Sequence, residues 1–179
     1  LGLTLSIEAL RATYAGGFMG KDNLLGTFTQ QSQSFSLMLT RGEPERPKRP
    51  QEPQKPYPYR EEEVSFTSRD NALELHGTLT LTQGEGRYPA IVLVTGSGTQ
   101  NRDEELMDHK PFLILADRLT RGGYAVLRYD DRGFGVSVEE QQRLQYSTTD
   151  HLMLDALGAF DYLSQHAAID PSKVGIGGH

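Results

Sequence analysis

Residues 90–95 read Ala-Ile-Val-Leu-Val-Thr, an apolar run with no alternation. A strand with one face in water would alternate, so this run predicts a strand buried on both faces at the centre of a sheet covered by helices. The residues that follow fit that demand. Over 111–122, Phe112, Leu115, Ala116 and Leu119 fall on one helical face, and Gly122-Gly123 supplies a stop. Ala125-Val-Leu-Arg-Tyr129 is the next strand. A second helix is predicted from about Thr148 to His166, with Leu152, Ala156, Ala159, Phe160 and Leu163 inward and Ser147-x-x-Asp150 as its capping box. Asp170-Pro171-Ser172 then turns the chain into a strand from Lys173 to Gly178. Upstream, Val64 to Ser68 and Leu73 to Leu81 alternate as an opening β pair. The predicted order β, β, β, α, β, α, β belongs to the α/β class, with a mostly parallel sheet flanked by helices over residues 63–179.

Ahead of this region lie two segments of different character. Pro44, Pro47, Pro50, Pro53 and Pro56 recur every third residue, the period of polyproline II, so 42–62 reads as an extended, semi-rigid linker. Its P-x-x-P spacing also suits an SH3-type ligand, but nothing else in the chain supports that use. Over residues 1–41, Leu3, Leu5 and Ile7 alternate with polar residues, as do Phe35, Leu37 and Leu39, with turn-like Gly16-Gly17 and Lys21-Asp-Asn23 between them. These residues predict a small antiparallel β unit. So few residues bury little surface alone, so the unit is expected to lean on the larger domain or to belong to a β domain that begins upstream.

Composition excludes several function classes. A net charge of -6 over 179 residues argues against nucleic acid as a partner. No apolar stretch approaches the roughly 20 residues that span a bilayer. The absence of cysteine excludes disulfides, thiolate metal sites and a cysteine nucleophile within these residues. The start lacks both an initiator methionine and the basic, apolar build of a signal peptide. Localisation therefore stays open: periplasmic or secreted if residue 1 follows a processed signal site, cytoplasmic otherwise.

The chemistry is concentrated at three strand ends, in Val94-Thr-Gly-Ser-Gly-Thr-Gln-Asn-Arg-Asp-Glu104, Arg128-Tyr-Asp-Asp-Arg-Gly-Phe-Gly-Val-Ser137 and Val174-Gly-Ile-Gly-Gly-His179. Gly178-His179 supplies the first two positions of G-x-S-x-G, the strand-to-helix elbow that exposes a serine above a sheet. Taken alone these glycines could equally loosen a terminal strand. Gly96-Ser97-Gly98 could open a dinucleotide loop, but the third glycine of that fingerprint is missing and the strand is not first in its sheet. In order and spacing the three segments resemble the α/β-hydrolase family, more closely its bacterial serine esterase-like members with a β-rich N-terminal extension. The resemblance spans about the last two-thirds of the chain.

That resemblance implies a serine hydrolase that cleaves carboxylic esters through an acyl-enzyme, without metal or organic cofactor, on a small-molecule ester. The serine is expected immediately after His179, and the acid and base further on, so the 179 residues are expected to be one segment of a longer chain whose remainder is a necessary partner. Within the segment, Ser97 N–H is implied as one oxyanion donor, with Gly98 allowing close approach of the loop. Gly178 and His179 form the elbow, His179 being its variable position. Arg102 and Asp103 brace the site entrance, while Asp130, Arg132 and Gly133 shape its wall, Arg132 pairing with a carboxylate such as Asp130. Asp130 and Asp131 are not the triad acid, which follows the nucleophile in this family. His76, His109, His151 and His166 read as surface or capping groups. Asp103, Glu104, Glu105, Asp108 and His109 read as a solvated acidic face rather than metal ligands. A serine peptidase or acyl transferase of the same fold, and a non-catalytic binding protein on the same scaffold, are the alternatives.

Overall fold

The structure is a computed structural model that describes residues 2–43, 48–70, 73–96, 98–134 and 147–179. It divides into two compact units, Leu1–Lys48 and Arg49–His179.

The first unit is a four-stranded antiparallel meander of β1 (Gly2–Ile7), β2 (Ala12–Met19), β3 (Asn23–Gln30) and β4 (Gln33–Thr40). Leu3, Leu5 and Ile7 pair with Gly16, Tyr14 and Ala12, which places the apolar residues of adjacent strands on one face. Gly16-Gly17 is not the expected turn but the middle of β2. The reason lies across the sheet, where the Tyr14 hydroxyl donates to Leu24 O at 2.9 Å and its ring covers two glycines. A Cβ at Gly16 would stand 2.7 Å from Tyr14 Oη, and one at Gly26 2.7 Å from Tyr14 Cζ. Glycine here makes room for an aromatic ring flat on the sheet.

In the second unit the elements run β5 (Tyr59–Thr67), β6 (Glu74–Thr82), β7 (Tyr88–Val94), α1 (Pro111–Arg121), β8 (Ala125–Tyr129), α2 (Thr149–Gln165) and β9 (Ile169–Gly178). Their alternation is the expected one. The sheet order is β5-β6-β8-β7-β9, with β8, β7 and β9 parallel and β5, β6 antiparallel. This five-stranded sheet is therefore mixed rather than mostly parallel. Parallel neighbours need a crossover, and among the described residues α1 lies between β7 and β8 and α2 between β8 and β9.

β5 begins at Tyr59, earlier than the predicted Val64, and so takes up the last four residues of the 42–62 linker. Arg60, Glu61, Glu62 and Glu63 look loop-like in sequence, but β5 is an edge strand, where charge is tolerated. The preceding proline-rich stretch is not fully extended either. Glu52 N–H donates to Arg49 O at 3.0 Å, closing a turn, and Arg49 Nη2 donates to Met107 O at 3.0 Å. Pro44 and Pro47 lie outside the described residues.

The helices cover opposite sheet faces, as alternate residues of one strand show. Leu93 and Val126 pack with Phe112 and Ala116 of α1, while Val92 and Leu127 belong to the cluster holding Ala159 and Leu163 of α2. The buried stripe of α1 is Phe112, Ala116, Asp117 and Thr120, and Leu115 is exposed. Thr120 displaces it inward because its hydroxyl shares a hydrogen bond of 2.6 Å with buried Thr80. On α2, Asp155, Ala156, Gly158, Ala159 and Leu163 are buried, whereas Leu152 is exposed and Phe160 only half-buried. Gly158 is needed at the closest approach, since a Cβ there would lie 2.4 Å from Thr67 O. The α2 capping box is shifted by one residue from the expected position: Thr148 N–H donates to His151 Nδ1 at 3.0 Å. No described helix is long and apolar enough to cross a membrane.

Candidate active site

Because β8, β7 and β9 are parallel, their C-terminal ends open on one edge of the sheet. From β7 the chain passes through α1 to β8 on one side, then through α2 to β9 on the other. Such a reversal leaves a crevice outside the strand ends, the usual place for a ligand in an open α/β sheet. Gly96 lies two residues beyond β7, and His179 directly after β9.

These two residues are joined by a group that sequence reasoning left on the surface. Glu104 Oε1 accepts from Gly96 N–H at 3.1 Å and lies 2.8 Å from His179 Nδ1. Its residue is only 8% exposed, with a positive φ of 52°. His179 N–H donates to Val94 O at 3.2 Å, so this residue is also tied to β7 through its backbone. The approach is close at Gly96, where a Cβ would stand 2.9 Å from His179 Nδ1. Gly98 has φ 95°, consistent with a glycine loop after β7, while Ser97 lies outside the described residues.

Asp131, at the end of β8, pins the same loop. It accepts from Thr95 Oγ1 at 2.6 Å and from Gln100 N–H at 2.9 Å. Burial pushes its carboxyl above the ordinary range, an effect partly offset by those two hydrogen bonds.

The bracing pairs differ in their partners from the expected ones. Asp130 takes Arg102, not Arg132, through Nη2 at 2.6 Å, Nε at 3.1 Å and the backbone N–H at 2.8 Å. Arg102 Nη1 reaches on to Glu63 at 2.6 Å and Thr78 Oγ1 at 2.7 Å, tying the loop to β5 and β6. Asp103 pairs with buried Arg128 of β8, and burial raises its carboxyl. Arg132 instead makes a fork to Asp155 of α2, Nε at 2.6 Å and Nη2 at 2.5 Å, and donates to His151 O at 3.1 Å. Asp130 and Asp131 point toward the loop after β7, which leaves the helix carboxylate as the partner within reach. Gly133 turns the chain beside it with φ 84°. Gly135 to Ser137 lie outside the described residues.

The loop after β7 is thus not a solvated acidic face: Asp103 and Glu104 point inward to cations and amides, and Glu105 and Asp108 stay exposed. The signal for Glu104 was weak, because one carboxylate among several reveals its direction only through the loop's turns. Among the other histidines, His151 caps α2, His166 stands 3.7 Å from Glu62, His109 4.0 Å from Glu52, and His76 is exposed. Among the described residues no group of three or more His, Cys, Asp or Glu could hold a metal ion. An apolar groove of about 550 Å³ lies beside the strand ends, lined by Val94, Leu152, Met153, Ala156, Leu157 and Ile176 together with Gly96 and His179.

No family model matches the chain. The esterase EstD of Thermotoga maritima is 35% identical over 116 residues, which is 64% of this chain and 27% of that protein. The chain thus spans about a quarter of the length of this curated relative. Among solved structures, the esterase Est22 matches 68% of this chain and 35% of its own, with TM-score 0.51 and 17% identity. A putative dipeptidyl aminopeptidase IV from Bacteroides ovatus matches 93% of this chain and 23% of its own, with TM-score 0.54 and 14% identity. At such identities the structural matches speak for the fold, and the fold is the one derived above from three parallel strands and two crossovers. Together with the esterase relative, they show that the chain is similar to proteins of the α/β-hydrolase fold.

Proposed function

We propose that the chain is part of a serine hydrolase that cleaves carboxylic esters through an acyl-enzyme. The observation that carries this reading is the meeting of the Gly96 loop and His179 at the reversal point of the sheet, bridged by Glu104 at 3.1 and 2.8 Å. An acyl-transfer site needs a nucleophile and oxyanion donors within about 3 Å of one carbonyl, and two strand ends tied together can supply both.

In this reading a serine directly after His179 attacks the ester carbonyl. A histidine further along the complete chain, oriented by a carboxylate, takes the hydroxyl proton and then gives it to the departing alkoxide. Ser97 N–H and the N–H of the residue after the serine hold the tetrahedral oxyanion. Gly96 N–H is not among these donors, since it is directed to Glu104. Water, deprotonated by the same histidine, releases the acid and restores the serine. Short-chain esters are the proposed substrates, with no cofactor required.

A serine peptidase is the second reading. The dipeptidyl aminopeptidase-like structure shares the fold over 93% of the chain, and fold alone leaves the scissile bond open. A panel of p-nitrophenyl esters and peptide amides, offered to the intact protein, separates the two. Hydrolysis of esters with peptides untouched supports the esterase reading, and the reverse pattern overturns it.

A further inference from the structure

We propose that Glu104 is the positioning residue of this site, locking the loop after β7 to the elbow through one carboxylate oxygen. The inference rests on the hydrolase reading above.

A carboxylate oxygen carries no proton, so both groups that meet Glu104 Oε1 must donate. Gly96 supplies its amide, and His179 its Nδ1–H, which fixes the imidazole in one tautomer with Nε2 as the nitrogen not engaged by Glu104. The orientation of the loop's first peptide and that of the elbow ring are therefore set by the same atom.

Glu104 is itself held from both sides. Arg102 is forked to Asp130 and Asp103 is paired with Arg128, so the residues just before it are anchored on β8 and its approaches. Its own N–H donates to Asn101 O at 2.9 Å, and Asn101 Oδ1 accepts from Asp103 N–H at 3.1 Å and Glu105 N–H at 3.0 Å. This turn is what carries Glu104 into positive φ, a conformation that persists when the surroundings over-determine it. The ends of all three parallel strands thus meet in one network that passes through Glu104.

What the contact does is hold direction, which matters when amides must face a developing charge.

The test uses the full-length protein with Glu104→Ala and Glu104→Gln. Kinetics on a p-nitrophenyl ester are read beside thermal unfolding, hydrogen exchange at the Gly96 amide and the ¹⁵N shifts of the His179 ring. Glu104→Ala should stay folded and lower kcat by about 10- to 100-fold, the scale on which misplaced groups act. KM should change by less than about threefold, since ground-state binding is not removed. Gly96 exchange should quicken and the Nδ1–H tautomer of His179 lose its dominance. Glu104→Gln keeps an acceptor oxygen in place and should recover most of the lost rate.

A folded Glu104→Ala with wild-type kcat and unchanged Gly96 exchange overturns the inference, as does a glutamine variant no better than alanine. An inert wild type would instead overturn the ester reading. In that event the exchange and tautomer measurements still decide whether Glu104 holds the two elements together.

Discussion

Arg132 and Asp155 offer the sharpest test of how the site wall is held. Their side chains are 6% and 2% exposed and joined by two hydrogen bonds of 2.6 and 2.5 Å. Arg132→Ala leaves a buried carboxylate without its fork, and removing one partner of such a pair costs about 3–5 kcal/mol. Loss of the Arg132 bond to His151 O adds about 1 kcal/mol. Against a total stability of roughly 5–15 kcal/mol for a domain, this is a large fraction. At about 2–4 °C per kcal/mol for a domain of this size, the unfolding midpoint of the hydrolase-fold unit should fall by about 8–24 °C. Replacing both residues, Arg132→Met with Asp155→Leu, removes the stranded charge and should restore much of the loss. A double-mutant cycle in urea, with m-values checked for constancy, measures the coupling. Single variants that cost less than about 1 kcal/mol, or a strictly additive double, would refute the reasoning.

Two further outcomes follow from the loop after β7. Gly96→Ala should leave the sheet folded but push the His179 ring away, because its Cβ would lie 2.9 Å from His179 Nδ1 and 3.3 Å from Glu104 Oε1. Since both are side-chain atoms able to give way, activity in the intact protein should fall about 10- to 100-fold while the melting temperature changes little, and a large melting shift with full activity would contradict this. Asp131 should titrate above the ordinary carboxylate value of 3.8, because burial raises it. In the interval above 3.8 the unfolded chain has already released this proton while the folded chain retains it. The contribution of Asp131 to stability is therefore greatest below that value and declines as pH rises through the interval. Carboxyl ¹³C NMR that places its midpoint at or below 3.8 would show the sign to be wrong.

Periodicity carried most of the second unit. The unbroken 90–95 run, the spacing of Phe112 and Ala116, and Ala156, Ala159 and Leu163 all lie where helical or strand repeats put them. What failed is what a local pattern does not encode. Gly16-Gly17 looks like a turn until Tyr14 is laid across it, and Leu115 looks inward until Thr120 finds Thr80. The direction of β6 depends on which strands it meets, and its antiparallel pairings with β5 and β8 make the sheet mixed. At the site, the glycine turn after β7 was legible, and Gly98 takes a φ of 95° there. Arg132, by contrast, had carboxylates nearer in sequence than Asp155, 23 residues away. Glu104 was one acid among several, distinguished only once the turn at Asn101 brought it between Gly96 and His179.

The central claim is that acyl transfer takes place at the junction of β7 and β9, and covalent labelling tests it most directly. The intact protein is treated with an alkyl fluorophosphonate, digested and mapped by mass spectrometry, with ester hydrolysis followed in parallel. A serine hydrolase of the proposed kind acquires one phosphonyl group on a serine directly after His179 and loses its esterase activity in step. A folded, ester-cleaving protein that takes up no label there, or that is labelled elsewhere while activity persists, would contradict it.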